Sequence, residues 1–268
     1  MKLKALAAAA LSCVAGYSTA ASVNVGGLTL DTGTVFSVAS IYENVVTNVG
    51  DTLRGVGEVT QINGVAVSSL CAGCELTYVF DGYTVSSLSA TNITFSGGYV
   101  NFYLGFGGAN DFNPFTSGGS AADFAAAANG SLFLTLAGHD IDAAGNTFSG
   151  TGTNIGTTSP IGFGAGLADV DWTGTANGNT AGAGALANAY FDSNSVAALF
   201  GGGNADLQLG SSFSSLTVPH PGECPSGPMC VAGSADFRAQ VVPEPETYAL
   251  MLAGLGVLGF VARRRRSN

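Results

Sequence analysis

Basic side chains are scarce in this 268-residue chain, with eight Lys and Arg against eighteen Asp and Glu. Six of the eight lie near the ends, as Lys2, Lys4, Arg263, Arg264, Arg265 and Arg266. Residues 21–242 therefore hold only Arg54 and Arg238 against sixteen acids, a formal charge of −14. A body of that sign repels phosphate backbones, which excludes nucleic-acid binding, and its acidity favours solubility. Histidine occurs only as His139 and His220, and no Gly-x-Ser-x-Gly elbow is present to carry a nucleophile; hydrolysis by a Ser-His pair has little to stand on. Charged residues make up only 10 %, yet 46 % of the chain is hydrophobic and the apolar residues alternate. A disordered segment would lack both features, so the low charge reads as a packed β-rich body.

What is abundant is glycine, forty residues, together with Ser, Thr and Asn, the composition of short strands joined by tight turns. Leu76 to Phe80 and Tyr99 to Phe106 alternate with a period of two, bounded by Asp81-Gly82 and Gly97-Gly98,. Residues 23–30, 35–40, 51–61, 83–88 and 92–95 follow the same pattern, and 132–136, 205–209 and 235–242 come later. The fold class is mainly β: an antiparallel β-sandwich or jelly-roll-like domain with one or two short helices. Helix is predicted over 121–128, with Ser120 as N-cap and Gly130 past its end, and again within 183–189 or 195–200,. Residues 145–184 are so rich in Gly, Thr and Asn that long loops are expected there, anchored by Phe148, Phe163 and Trp172,.

Four cysteines lie beyond residue 20: Cys71, Cys74, Cys224 and Cys230. In an oxidising compartment an even count implies two disulfides, with three pairings open. Local pairing is preferred, since each pair brackets a Gly- or Pro-containing loop. A redox Cys-x-x-Cys would open a helix in a βαβ setting, whereas Cys74 leads into a strand,. Zinc is disfavoured by the five residues between Cys224 and Cys230,. No cofactor is implied. Asp140, Asp142, Asp169 and Asp171 are the only carboxylates spaced like a site. They suit a glycosidase only if they face one another across a cleft. As calcium ligands they fit poorly, because the loop starting at Asp140 has Ala144 and Thr151 at its fifth and twelfth positions,; a site of another kind on these aspartates is the weaker expectation. Gly201 to Asp206 resembles one nonapeptide calcium repeat, and a single copy cannot stack,.

Both ends read as targeting. Lys2 and Lys4 precede an apolar stretch from Ala5 to Ala15 and the small residues Ser18-Thr19-Ala20, the layout of a signal peptide over residues 1–20. A lipoprotein cysteine at Cys13 is disfavoured, because it interrupts the apolar region too early. At the other end Pro243-Glu244-Pro245 precedes an apolar run over 247–262 and four arginines, Arg263 to Arg266. Sixteen residues of helix span about 24 Å, slightly less than a hydrocarbon core of ~30 Å. The arginines hold that end in the cytoplasm, and the prolines keep the preceding segment extended and open to a processing enzyme.

Residues 242–256 with the arginine cluster resemble the PEP-CTERM sorting signal of Gram-negative bacteria, also called the ice-binding protein C-terminal domain. The resemblance implies recognition by the membrane transpeptidase exosortase, after signal peptidase, in organisms that make exopolysaccharide, biofilm or floc. It makes Pro243, Glu244 and Pro245 the sorting motif and Arg263, Arg264, Arg265 and Arg266 the cytoplasmic stop. The expected order is signal peptide 1–20, β-rich extracellular domain 21–242 and sorting signal 243–268 with a transmembrane helix over 247–262. The expected function is that of a structural or adhesive protein, not an enzyme, at the cell surface or in the matrix, held only transiently at the inner membrane and in contact with exopolysaccharide. The alternatives are a carbohydrate- or ice-binding module, with Trp172, Tyr99 or Tyr103 as sugar-stacking rings, and, less favoured, a secreted polysaccharide hydrolase.

Overall fold

The computed structural model describes residues 22–30, 33–113, 121–173, 185–198, 203–215, 229–239 and 254–255. Twelve strands are present among them: β1 (Val23–Val25), β2 (Leu28–Leu30), β3 (Val35–Asn44), β4 (Thr52–Ile62), β5 (Val65–Ala66), β6 (Cys74–Leu88), β7 (Asn92–Phe106), β8 (Ser131–His139), β9 (Asn146–Thr153), β10 (Ile161–Val170), β11 (Leu207–Ser215) and β12 (Met229–Ala239). Helices are short: α1 (Val67–Leu70), α2 (Ala121–Ala127) and α3 (Ala185–Phe191). The chain is mainly β and antiparallel, as its alternation implies. Instead of dividing into the two sheets of a sandwich, the sheet closes on itself in the order β11-β12-β3-β4-β6-β7-β8-β10, with β10 pairing back onto β11. Closure removes the open edges of a sandwich.

The segments read as separate strands around Asp81-Gly82 and Gly97-Gly98 are continuous. Leu76 to Leu88 and Asn92 to Phe106 form one long hairpin, in which Tyr83 pairs with Gly97 and Asp81 with Tyr99. Gly82, Gly97 and Gly98 have φ of 78°, 68° and 86°, so what look like turns are facing kinks that bend two strands around a barrel corner. Beside them β8 and β9 run end to end along β7: Ala137 pairs with Tyr99 and Asn146 with Ser96. Residues 140–145 leave the sheet as a loop at that same corner.

Glycine makes the interior possible. A methyl on Gly57 would meet the Tyr78 ring 2.6 Å from Cζ, and one on Gly98 would meet Tyr83 Cγ at 2.5 Å. Gly164 and Gly166 each clear the ring of Phe148, again at 2.5 Å. Tyr78, Tyr83 and Phe148 thus each lie across a glycine on a neighbouring strand,. This is why 145–184, expected as loops, holds β9 and β10. On β10 the buried positions are Gly162, Gly164, Gly166, Ala168 and Val170; the three glycines have weak strand preference and leave clearance for rings,. Phe148 is an interior anchor as expected, but Phe163 is 70 % and Trp172 49 % exposed.

Rings meet across the lumen. Phe237 and Phe36 on β12 and β3 contact Tyr78 and Phe102 on β6 and β7, with centroids 4.9–5.7 Å apart. Phe191 of α3 lies edge-on to Phe36 at 5.5 Å and Tyr190 Oη is 3.3 Å from Thr34 Oγ1, so α3 seals the barrel end from which β3 starts. On the outer wall α2 covers Tyr42 and Val56, Thr77 Oγ1 donates to the Ala127 carbonyl at 2.5 Å, and the Arg54 guanidinium sits 5.4 Å from the Phe124 ring centre. Helix forms here as the alanine run predicts.

Cys71 and Cys74 are bonded to each other in the turn that leads into β6. A bridge closing so short a loop stabilises by about 2 kcal/mol at most on the loop-closure model. Replacing both by Ser is expected to lower the urea midpoint modestly while the protein still folds. Cys224 lies outside the described residues; Cys230 is in β12, and its side chain is outside them. Residues 24–242 form one compact unit, and only Gly254 and Leu255 of the apolar run are described. No helix among the described residues is long and apolar enough to cross a membrane.

Candidate functional site

The lumen above the ring cluster is hollow. Ile41, Leu53, Phe80, Val100, Phe148 and Leu209 wall a small cavity of about 50 Å³, with Tyr78, Tyr83 and Glu43 also among its lining residues. A second space, also of about 50 Å³, shares Glu43, Leu53, Phe148 and Ser211 with it, and reaches Pro160, Phe213 and Val231. Among the described residues the barrel forms a cup that α3 closes at one end, with the second space at the other, between the ends of β3, β9 and β11.

Three residues beside this space carry polar groups, Glu43, Tyr78 and Tyr83. The hydroxyls of Tyr78 and Tyr83 are buried and find no hydrogen-bonding protein group among the described residues, and the two side chains are 0 % and 4 % exposed. Glu43 pairs with Gly55 on one side and Val231 on the other, and burial pushes its carboxyl up to about 8. Its charge, when present, also raises the Tyr78 phenol, after burial itself. Sequence reasoning missed Glu43 because β3 carries two bulges, between Ser37 and Val38 and between Val38 and Ser40, which shift the inward phase. A charged residue ending an apolar strand in so uncharged a chain was the available signal.

On the outer wall Glu75, 3 % exposed, accepts the Phe112 amide at 3.1 Å. Burial pushes it up to about 7, helped by the charges of Glu58 and Asp111 and opposed by the amides of Phe112 and Asp111. Burial also raises Glu58. The sign for stability follows. A carboxyl whose folded pKa lies above its unfolded value contributes fully below about pH 4.5, and that contribution is lost as pH rises through 7 and 8. The melting temperature is expected to fall between pH 5 and pH 8.5. In Glu43→Gln that fall is expected to shrink, with the variant the more stable at pH 8.5 by a few kcal/mol; thermal melts of both proteins across the range check this.

The aspartates singled out by spacing do not converge. Asp142 accepts from its own loop, the amides of Ala144 (2.9 Å) and Asn146 (3.1 Å) and the Asn146 side chain (2.7 Å); these bonds hold its carboxyl below the usual range. Asp140 is exposed. Asp169 Oδ2 meets His139 Nδ1 at 2.7 Å on the outer wall, and Asp171 accepts from the amide and hydroxyl of Thr173. No group of three or more His, Cys, Asp or Glu suited to a metal occurs among the described residues.

The barrel carries residues that a ligand can use, but no constellation that names a reaction, so identity rests on the C-terminus. Residues 241–266 match the family model of the PEP-CTERM protein-sorting motif. The chain carries a PEP-CTERM sorting signal in this segment. Its motif implies processing by exosortase and export to the cell envelope or surface. Pro243, Glu244, Pro245 and the four arginines from 263 to 266 lie in or next to the matched segment and outside the described residues. No curated protein and no solved structure matches this chain. The outward positions of its barrel include Arg54, Asp81, Asp236 and Arg238, while the lumen is aromatic. That is the reverse of a membrane barrel, whose outer band is apolar and whose interior is polar.

Proposed function

We propose that this protein is a non-catalytic component of the extracellular matrix that adheres to exopolysaccharide, after transient anchoring of its C-terminal segment in the inner membrane. The observation that carries this reading is a surface on β9, β10 and β11. Phe163 is 70 % exposed and pairs with Thr151 on one side and Ser212 on the other; Ile161, 54 % exposed, pairs with Thr153 and Ser214. One strand further, Asn92 pairs with Thr151. An apolar ring set among hydroxyls and an amide suits a sugar: the ring covers its C–H face and the polar groups meet its hydroxyls. Phe163 supports this better than the rings first considered. Trp172 gives its indole N–H to Asp192 at 2.7 Å, and Tyr99 and Tyr103 are partly buried.

Phe163→Ala is expected to abolish co-sedimentation with exopolysaccharide purified from the host while leaving the melting temperature unchanged, since a ring this exposed contributes little to the core. Undiminished co-sedimentation would remove this surface from the account.

A further inference from the structure

The solvent face of a sheet is ordinarily polar and interspersed with charges, which keep proteins from sticking to one another. Around Phe163 those charges are missing. Asp169 is the one charged residue in β7, β9, β10 and β11, and its carboxylate is taken up by His139 at 2.7 Å. The register sets Asn92, Thr151, Phe163, Ser212 and Ser234 side by side as direct partners across five strands, a row roughly 19 Å long at the spacing of neighbouring strands. The next row, Thr153, Ile161, Ser214 and Ala232, is equally uncharged. The Ser212 and Ser234 hydroxyls meet at 2.9 Å, which holds two of the polar groups in place beside the ring. A neutral, partly apolar face in a body of formal charge −14 is a local departure from the rest of the surface, and such patches mark places where something binds.

We propose that this row binds a neutral polysaccharide, an extended chain of hexoses without uronate, sulfate or phosphate groups, and that its lack of charge selects against acidic polymers. The selectivity rests on adhesion to exopolysaccharide at the Phe163 surface. An acidic chain finds no cation there, since residues 21–242 hold only Arg54 and Arg238. Arg54 lies against Phe124 under α2, and Arg238 stands opposite Gln208, towards the α3 end of β11. The acidic body also repels such a chain. A neutral chain meets neither obstacle: its C–H faces cover Phe163 and Ile161, and its hydroxyls exchange hydrogen bonds with Asn92, Thr151, Ser212 and Ser234. A second copy of the protein fits less well. Two bodies of this charge repel each other, and β9, β10 and β11 are each paired on both sides, so they offer no open edge for another strand,.

The test separates host exopolysaccharide on an anion exchanger into neutral and acidic fractions, and tests the acidic fraction again after its carboxyl groups are reduced to alcohols. Co-sedimentation with the purified protein, with a chelator present, reads the binding. The neutral fraction is expected to bind at least about tenfold tighter than the acidic one at low salt, and to keep its affinity up to about 0.5 M salt. Reduction is expected to raise binding of the acidic fraction. Thr151→Lys places a cation in the row; it is expected to strengthen binding of the unreduced acidic fraction by about fivefold or more and to melt with the parent, because Thr151 is exposed,. Preference for the acidic fraction, loss of binding on reduction, binding that requires a divalent cation, or no binding to the neutral and reduced fractions overturns neutral selectivity. If Phe163→Ala still abolishes binding in the first three cases, the adhesive surface stands without it. Binding indifferent to Phe163→Ala, or dimerisation lost in Phe163→Ala in place of glycan binding, overturns both.

Discussion

Gly98→Val is expected to stop the barrel from closing. The added carbons fall on the Tyr83 ring, 2.5 Å from Cγ, at a residue whose φ is +86°. Overpacking costs about 1–3 kcal/mol, and a β-branched residue in left-handed backbone adds about 1–2 kcal/mol. Together these approach the whole stability of a domain, roughly 5–15 kcal/mol. The variant is expected to be recovered unfolded or with a urea midpoint far below the parent. Gly210→Ala is the matched control. It lies in β11, has ordinary backbone and would meet nothing within 4 Å, so its midpoint is expected to stay within about 0.5 kcal/mol of the parent. If both variants lose stability alike, glycine matters here through backbone freedom in general and not as clearance for rings.

That contrast marks where local sequence stops being informative. Alternation was legible in Leu76 to Phe80 and Tyr99 to Phe106 because each strand carries its own pattern. Residues 161–170 were not, because Gly162, Gly164 and Gly166 serve rings on β9 and β11 that only the closed sheet brings near. Gly82, Gly97 and Gly98 have turn chemistry, yet whether such residues end a strand or bend it depends on the partner strand. Sandwich and barrel differ by one pairing, β10 with β11, between segments that the Gly-rich stretch and α3 separate. In the lumen, Tyr78 was readable as core, but that its hydroxyl lacks a protein partner is a property of the surrounding space. Glu43 was hidden by the bulges of β3. The sorting segment was legible for the opposite reason: its signal is a contiguous run of residues that matches without reference to any fold.

The second large effect concerns that segment. Replacing Pro243, Glu244 and Pro245 together by Ala is expected to leave the protein in the inner-membrane fraction and to reduce the surface and medium forms to background. The change removes the motif that implies exosortase recognition, while the apolar run with its arginines remains to stop transfer. Cell fractionation with an antibody against the barrel checks this. The folded domain is expected to be unaffected, since residues 24–242 form a unit without the motif; normal melting of the retained protein would separate a sorting defect from misfolding. Replacing Arg263, Arg264, Arg265 and Arg266 by Ser tests the other half of the signal. Loss of the cationic stop is expected to let the tail slip through, giving release of unprocessed protein.

The most direct measurement is the intact mass of the protein recovered outside the cell from the unaltered host, with a strain lacking exosortase beside it. Sorting by exosortase predicts a mature form that has lost Arg263 to Arg266 and the apolar run, and that disappears from the outside in the deletion strain. An extracellular form whose mass retains the chain through Asn268, in equal amount in both strains, would contradict it.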